Sequence, residues 1–181
     1  EASDVRPPVK EQVESLGAKF IDVPFITDEE REIAKGAGGY ARPMPPDWMA
    51  RQAALVHERA KLADIVITTA LIPGRPAPVL ISEDTVKAMK PGSVIVDLAV
   101  SQGGNCPLSE LGKTVVKHGV HIVGEPDLAT LVAADASALY ARNVLDFLKL
   151  IIDKDDQLTI DREDEIIKAT LLCADGQLLR Q

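Results

Sequence analysis

Asp4 stands within the short run Ala2-Ser3-Asp4-Val5-Arg6, ahead of a helical pattern. In a dinucleotide-binding fold, an acid at the end of the second strand accepts hydrogen bonds from the adenosine ribose hydroxyls. An acid ahead of a helix is equally welcomed by the helix macrodipole, so Asp4 alone carries both readings. Three further stretches add chemistry. Gly36-Ala37-Gly38-Gly39-Tyr40-Ala41-Arg42-Pro43-Met44 reads as a long loop that glycines allow to swing and Tyr40 allows to cover a ligand; the alternative is a surface linker. Thr68-Thr69-Ala70-Leu71-Ile72-Pro73-Gly74 follows an apolar strand pattern, at the carboxyl end where open α/β sheets bind ligands. Asp97-Leu98-Ala99-Val100-Ser101-Gln102-Gly103-Gly104-Asn105-Cys106-Pro107 follows another, with adjacent glycines that let backbone approach closely.

Other reactive side chains read as structural. His118 and His121 flank Gly119 before a strand pattern, with no acid or thiol at ligand spacing, and are expected at the surface. Cys106 has no adjacent base and is expected to be structural. With Cys173 it makes two thiols 67 positions apart, which suits a reducing compartment better than a disulfide framework. The acidic runs at 153–156 and 161–165 read as solvated surface, the second with the option of facing a partner.

The elements that must hold these residues alternate. Strand patterns fall at 19–23, 64–69, 93–98 and 120–123, each short and β-branched. Helical patterns fall between them. Val9, Val13 and Leu16 share a face that Gly17 ends. Residues 46–63 repeat apolar positions at three- and four-residue spacing, and Ser82 caps residues 83–89. This rhythm predicts βαβ units and a parallel sheet. Residues 128–152 read as one long helix, followed by a tail with an Asp175-Gly176 turn. The expected fold is therefore α/β, a Rossmann-type parallel sheet lacking its first βα unit, then a long helix and part of a second lobe. The domain boundary is expected at 127/128. The glycine-rich turn of such a fold would stand about 20 residues before Asp4, so the chain reads as the rear portion of a longer protein.

Composition limits the partners. Twenty Lys and Arg against 28 Asp and Glu give a net charge of −8, which disfavours nucleic acid and anionic lipid. No apolar run approaches the roughly 18 residues of a membrane span, so direct membrane insertion is not expected. Residues 1–6 do not resemble a signal peptide.

Taken together, the stretches resemble the NAD(H)-binding component (alpha subunit, domain I) of proton-translocating nicotinamide nucleotide transhydrogenases. The likeness is carried by residues 10–20, Gly38-Gly39-Tyr40-Ala41, Thr69-Ala70-Leu71-Ile72-Pro73-Gly74, Gly92-Ser93-Val94-Ile95-Val96-Asp97, Gly103-Gly104-Asn105-Cys106-Pro107-Leu108-Ser109 and Ala133-Ala134-Asp135-Ala136-Ser137. Alanine dehydrogenase is a relative that shares the Ala-Leu-Ile-Pro-Gly and Gly-Ser-Val-Ile-Val-Asp patches. Residues 124–130 depart from the usual family pattern. The resemblance implies NAD(H) as cofactor, with Asp4 on the adenosine ribose and Val5 and Arg6 bordering adenine and ribose. It further implies Gly39 and Tyr40 on a closing loop, Gln52 facing the adenine end, and Ala70 and Leu71 lining the nicotinamide side. Direct hydride transfer needs no covalent intermediate, so no catalytic side chain and no metal are implied. The implied enzyme is an NAD(P) transhydrogenase component that works with an N-terminal portion, membrane-spanning subunits and an NADP(H)-binding component. It would form a homodimer, cytoplasmic and peripheral on the inner membrane face, or in the mitochondrial matrix in a eukaryote. The alternatives are an alanine dehydrogenase-like oxidoreductase and a non-catalytic fragment that only folds and dimerises.

Overall fold

A computed structural model describes residues 1–35, 44–72 and 74–179. Two compact units follow one another along the chain, Glu1–Pro126 and Asp127–Gln181.

In the first unit, helix α1 (Pro7–Ser15) starts on two prolines, whose missing N–H groups cost nothing in a first turn. It ends in a Schellman motif: Gly17, at φ +80°, donates to the Glu14 carbonyl, and Ala18 N–H donates to that of Val13. Helix α2 (Asp28–Lys35) opens on a capping box. Thr27 Oγ1 accepts from Glu30 N–H at 3.1 Å, and the Glu30 carboxylate accepts from the Ile26 and Thr27 amides. Helix α3 (Pro46–Ala60) follows, and α4 (Glu83–Ala88) is capped by Ser82, whose Oγ accepts from Thr85 N–H.

Four strands form the sheet: β1 (Ile65–Thr68), β2 (Val94–Asp97), β3 (Thr114–Lys117) and β4 (Val120–Val123). Their order is β1-β2-β4-β3, with β1 and β4 both parallel to β2. Val and Ile dominate these runs, as strands packed beneath helices require. Beneath them, Ala60, Ile81, Val86, Met89, Ile95, Cys106, Val120 and Ile122 make one apolar core, and Val23, Met44 and Trp48 make a second. Helix α3 contributes to both, through Ala60 and Trp48. This is the mixed α/β architecture of a Rossmann-type domain.

Several expectations are corrected. Residues 19–23 form no strand; Phe20 makes a single parallel bridge to Ala2. β3 is an antiparallel strand not anticipated from sequence. It is joined to β4 by His118-Gly119, both at positive φ as a tight two-residue hairpin requires. The long segment between residue 23 and α3 contains α2, and residues 36–43 lie outside the described residues.

In the second unit the long helical pattern is interrupted. α5 (Leu128–Leu131) and α6 (Ala133–Ile151) meet at Val132, whose φ of −129° and ψ of 44° break the helix. No residue of α6 is buried; Leu139, Tyr140 and Leu145 stand open. α7 (Glu165–Thr170) is capped by Asp164, which accepts from the Ile166 and Ile167 amides. β5 (Cys173–Ala174) and β6 (Gln177–Leu178) turn at Asp175-Gly176, both at positive φ.

Candidate functional site

Three residues after Glu1, the chain has just paired with the strand-like segment at Phe20. Ala2 N–H donates to the Lys19 carbonyl, and Ile21 N–H donates to that of Ala2. Asp4 then precedes the proline start of α1 and turns back on itself. Its Oδ1 accepts from the backbone N–H of Arg6 at 2.8 Å and from Arg6 Nε at 2.9 Å, while Oδ2 accepts from Arg6 Nη2 at 2.8 Å. The side chain remains 24% exposed. Partial burial pushes the Asp4 carboxyl up, but the Arg6 hydrogen bonds and charge outweigh it and hold the group below the usual carboxylate range. Asp4 is therefore ionised, with one oxygen, Oδ2, keeping acceptor capacity for a further donor.

Asp4, Val5 and Arg6 line a cavity of about 300 Å³ whose walls include Phe20, Val23, Phe25 and Trp48. Phe25 and Trp48 stack with ring centroids 6.1 Å apart. The cations of the lining are engaged: Arg6 with Asp4, Lys10 with Asp22 at 2.6 Å, and Arg31 with Asp28. Helix α3 brings Trp48 to this cavity, and Gln52, one turn on, is half-buried in the same helix but does not line it. Ala70 and Leu71 stand beyond the carboxyl end of β1, outside this cavity. Gly39 and Tyr40 lie outside the described residues.

A second polar arrangement sits beyond the carboxyl ends of β1 and β2. Asp97, wholly buried, accepts from the amides of Ala99, Asn105 and Cys106, each at 3.0–3.1 Å, from Ser109 Oγ at 2.7 Å and from Thr68 Oγ1 at 3.4 Å. Gly104 lies against this carboxylate so closely that a Cβ would come within 2.7 Å of Oδ2. Asn105, also wholly buried, accepts from Ala70 N–H at 3.0 Å and donates to the carbonyls of Ala70 at 2.9 Å and Pro78 at 2.7 Å. The glycines flagged close backbone approach here, but nothing in the spacing singled out Asp97 or Asn105.

Cys106 is buried, and burial pushes its thiol up despite opposing hydrogen bonds with Leu108 and Ser109, which disfavours the thiolate. His118 pairs with Glu83 at 3.3 Å, and His121 is exposed. Among the described residues no cluster of His, Cys, Asp or Glu is arranged to hold a metal, and no helix is long and apolar enough to cross a membrane.

A mainly parallel four-stranded sheet with helices between its strands defines a Rossmann-type α/β domain as the class. The chain belongs to the alanine dehydrogenase/PNT family: the model of that family's C-terminal domain matches residues 1–181. It is 55% identical over 179 residues to an NAD(P) transhydrogenase subunit alpha chain of Rhodospirillum rubrum, covering 98% of this chain and 46% of that one. To the NAD(P) transhydrogenase subunit alpha of Cereibacter sphaeroides it is 48% identical over 179 residues, covering 98% of this chain and 34% of that one. A solved transhydrogenase from Sinorhizobium meliloti superposes with a TM-score of 0.59 at 48% identity, over 81% of this chain and 35% of that one. A solved L-alanine dehydrogenase superposes with a TM-score of 0.50 at 25% identity, over 76% of this chain and 38% of that one. The chain thus spans about half, or less, of the length of the proteins it matches.

Proposed function

We propose that the chain is the NAD(H)-binding portion of a transhydrogenase, in which hydride passes between NADH and NADP⁺ held on a partner component. The observation that carries this reading is the ionised Asp4 at the rim of the aromatic-walled cavity. The cavity lies at the lower end of the roughly 300–1,000 Å³ common for ligand sites, which suits an adenosine moiety rather than a whole dinucleotide. Asp4 Oδ2 accepts a ribose hydroxyl, and its charge repels a 2′-phosphate, selecting NAD(H). Val5 and Arg6 border adenine and ribose, and Gln52 faces the adenine end. Ala70 and Leu71 line the nicotinamide side, and Gly39 and Tyr40 contribute to covering the nucleotide. Bound NAD(H) supplies the hydride; the protein binds and orients.

Residues 1–127 are then the NAD(H)-binding domain, and 128–181 a long connecting helix and a fragment of the second lobe. The partners are a second copy of the subunit, membrane-spanning components and an NADP(H)-binding component. Hydride transfer is coupled to proton translocation, and the subunit is peripheral to the membrane. The higher identity to transhydrogenase than to alanine dehydrogenase favours this over the dehydrogenase alternative.

The test is a titration with NADH and with NADPH, followed by emission of Trp48, the single tryptophan, 2% exposed and stacked at the cavity. Quenching by NADH with little response to NADPH is expected. Equal response to both would remove the role of Asp4, and silence from a folded protein would remove nucleotide binding by this chain.

A further inference from the structure

We infer that Asn105 is the positioning residue of the segment at Ala70 and Leu71, and that buried Asp97 in turn sets the place of Asn105. The inference rests on the reading that Ala70 and Leu71 line the nicotinamide side of an NAD(H) site. Between the end of β1 at Thr68 and the start of α4 at Glu83 the described chain has no regular ladder. Its path is fixed from outside. Ala77 N–H donates to the Gln102 carbonyl, and the Leu80 and Ile81 amides both donate to the Asn105 carbonyl. The Asn105 carboxamide then holds Ala70 through both its N–H and its C=O, and ties Pro78 with its remaining N–H. One side chain thus lashes both ends of the loop, 35 and 27 residues away in sequence.

Only a carboxamide suits the position. A carboxylate would accept from Ala70 N–H but would face the carbonyl oxygens of Ala70 and Pro78 with no hydrogen to give. An apolar side chain would deprive three half-buried backbone groups of these partners. Asn105 is held in turn by its own N–H, which donates to Asp97 Oδ1 at 3.1 Å. The next side chain along, Leu71, is 54% exposed, so the lash holds the Ala70 peptide while Leu71 is left facing outward for a ligand.

The experiment measures affinities of the full-length subunit, in its assembled complex, for NADH and for 5′-AMP, which probes the adenosine end alone. In Asn105→Ala the NADH dissociation constant is expected to rise about 10- to 100-fold while that for 5′-AMP stays within about twofold, because only the nicotinamide side is displaced. Amide exchange at Ala70 should accelerate while that at Val5 does not. Should Asn105→Ala fail to fold, Asn105→Asp, of nearly the same shape, carries the same comparison with a smaller loss of NADH affinity. Unchanged NADH affinity, or equal losses for both ligands, would overturn the inference. An unmodified subunit that does not bind NADH would overturn the underlying reading, and the inference with it.

Discussion

At Asp4 the polar groups pair with close neighbours at the surface, whereas at Asp97 and Asn105 they reach across the fold in the interior. The Asp4 clamp closes on Arg6 two residues away and keeps a quarter of the acid in solvent. Asp97 gathers donors from Thr68 to Ser109 and is wholly buried. The first arrangement leaves a charge available to something outside the protein. The second spends all its hydrogen-bonding capacity inside, on the shape of two loops.

Substitutions should break the contrast unevenly. Asp97→Ala carries the largest expected effect on stability. It removes the acceptor of three backbone amides and two hydroxyls and should cost about 3 kcal/mol or more, read as a lowered urea midpoint. Gly104→Ala should follow at about 1–3 kcal/mol, because its φ is +82° and its Cβ would strike Asp97 Oδ2.

A third substitution sharpens the acid side. Glu30 is buried beside Arg51, whose guanidinium holds the Glu30 carboxyl below its usual range; burial works the other way, and the Ile26 and Thr27 amides add to the lowering. A carboxyl lowered in the folded state contributes stability above its unfolded range, and that contribution is lost as pH falls through the lowered value. Glu30→Gln should therefore flatten the fall in stability below about pH 4.5 and leave the slope between about pH 6 and 8 unchanged, as urea unfolding across pH would show. Smallest is Arg6→Ala. It opens a partly exposed ion pair worth under about 1 kcal/mol, so thermal unfolding should barely move.

The same contrast separates what could be read in the sequence from what could not. β1, β2 and β4 were legible because β-branched runs announce themselves, and the Asp175-Gly176 hairpin because that dipeptide favours positive φ. The helix that follows Asp4 was legible in the spacing of Val9, Val13 and Leu16. The capping box of α2 was present as Thr27-Asp28-Glu29-Glu30, but the glycines after it drew the whole segment into a loop reading. β3 is four residues long and turns on His118-Gly119, a weaker hairpin signal than Asn-Gly. The break at Val132 involves neither glycine nor proline, so no local residue marks it. Asn105 was invisible for a different reason. Its partners lie 27 and 35 residues away, and only a folded chain brings a carboxamide to both ends of one loop.

Selection of the nucleotide by the Asp4 charge, as proposed, is tested by the ratio of NADPH to NADH dissociation constants in Asp4→Asn against the unmodified subunit. Asparagine keeps the shape of the side chain and removes its charge, leaving Arg6 free to meet a 2′-phosphate. The ratio should fall by about tenfold or more, chiefly through tighter NADPH. A ratio that does not change would contradict the assignment of Asp4 as the selecting residue.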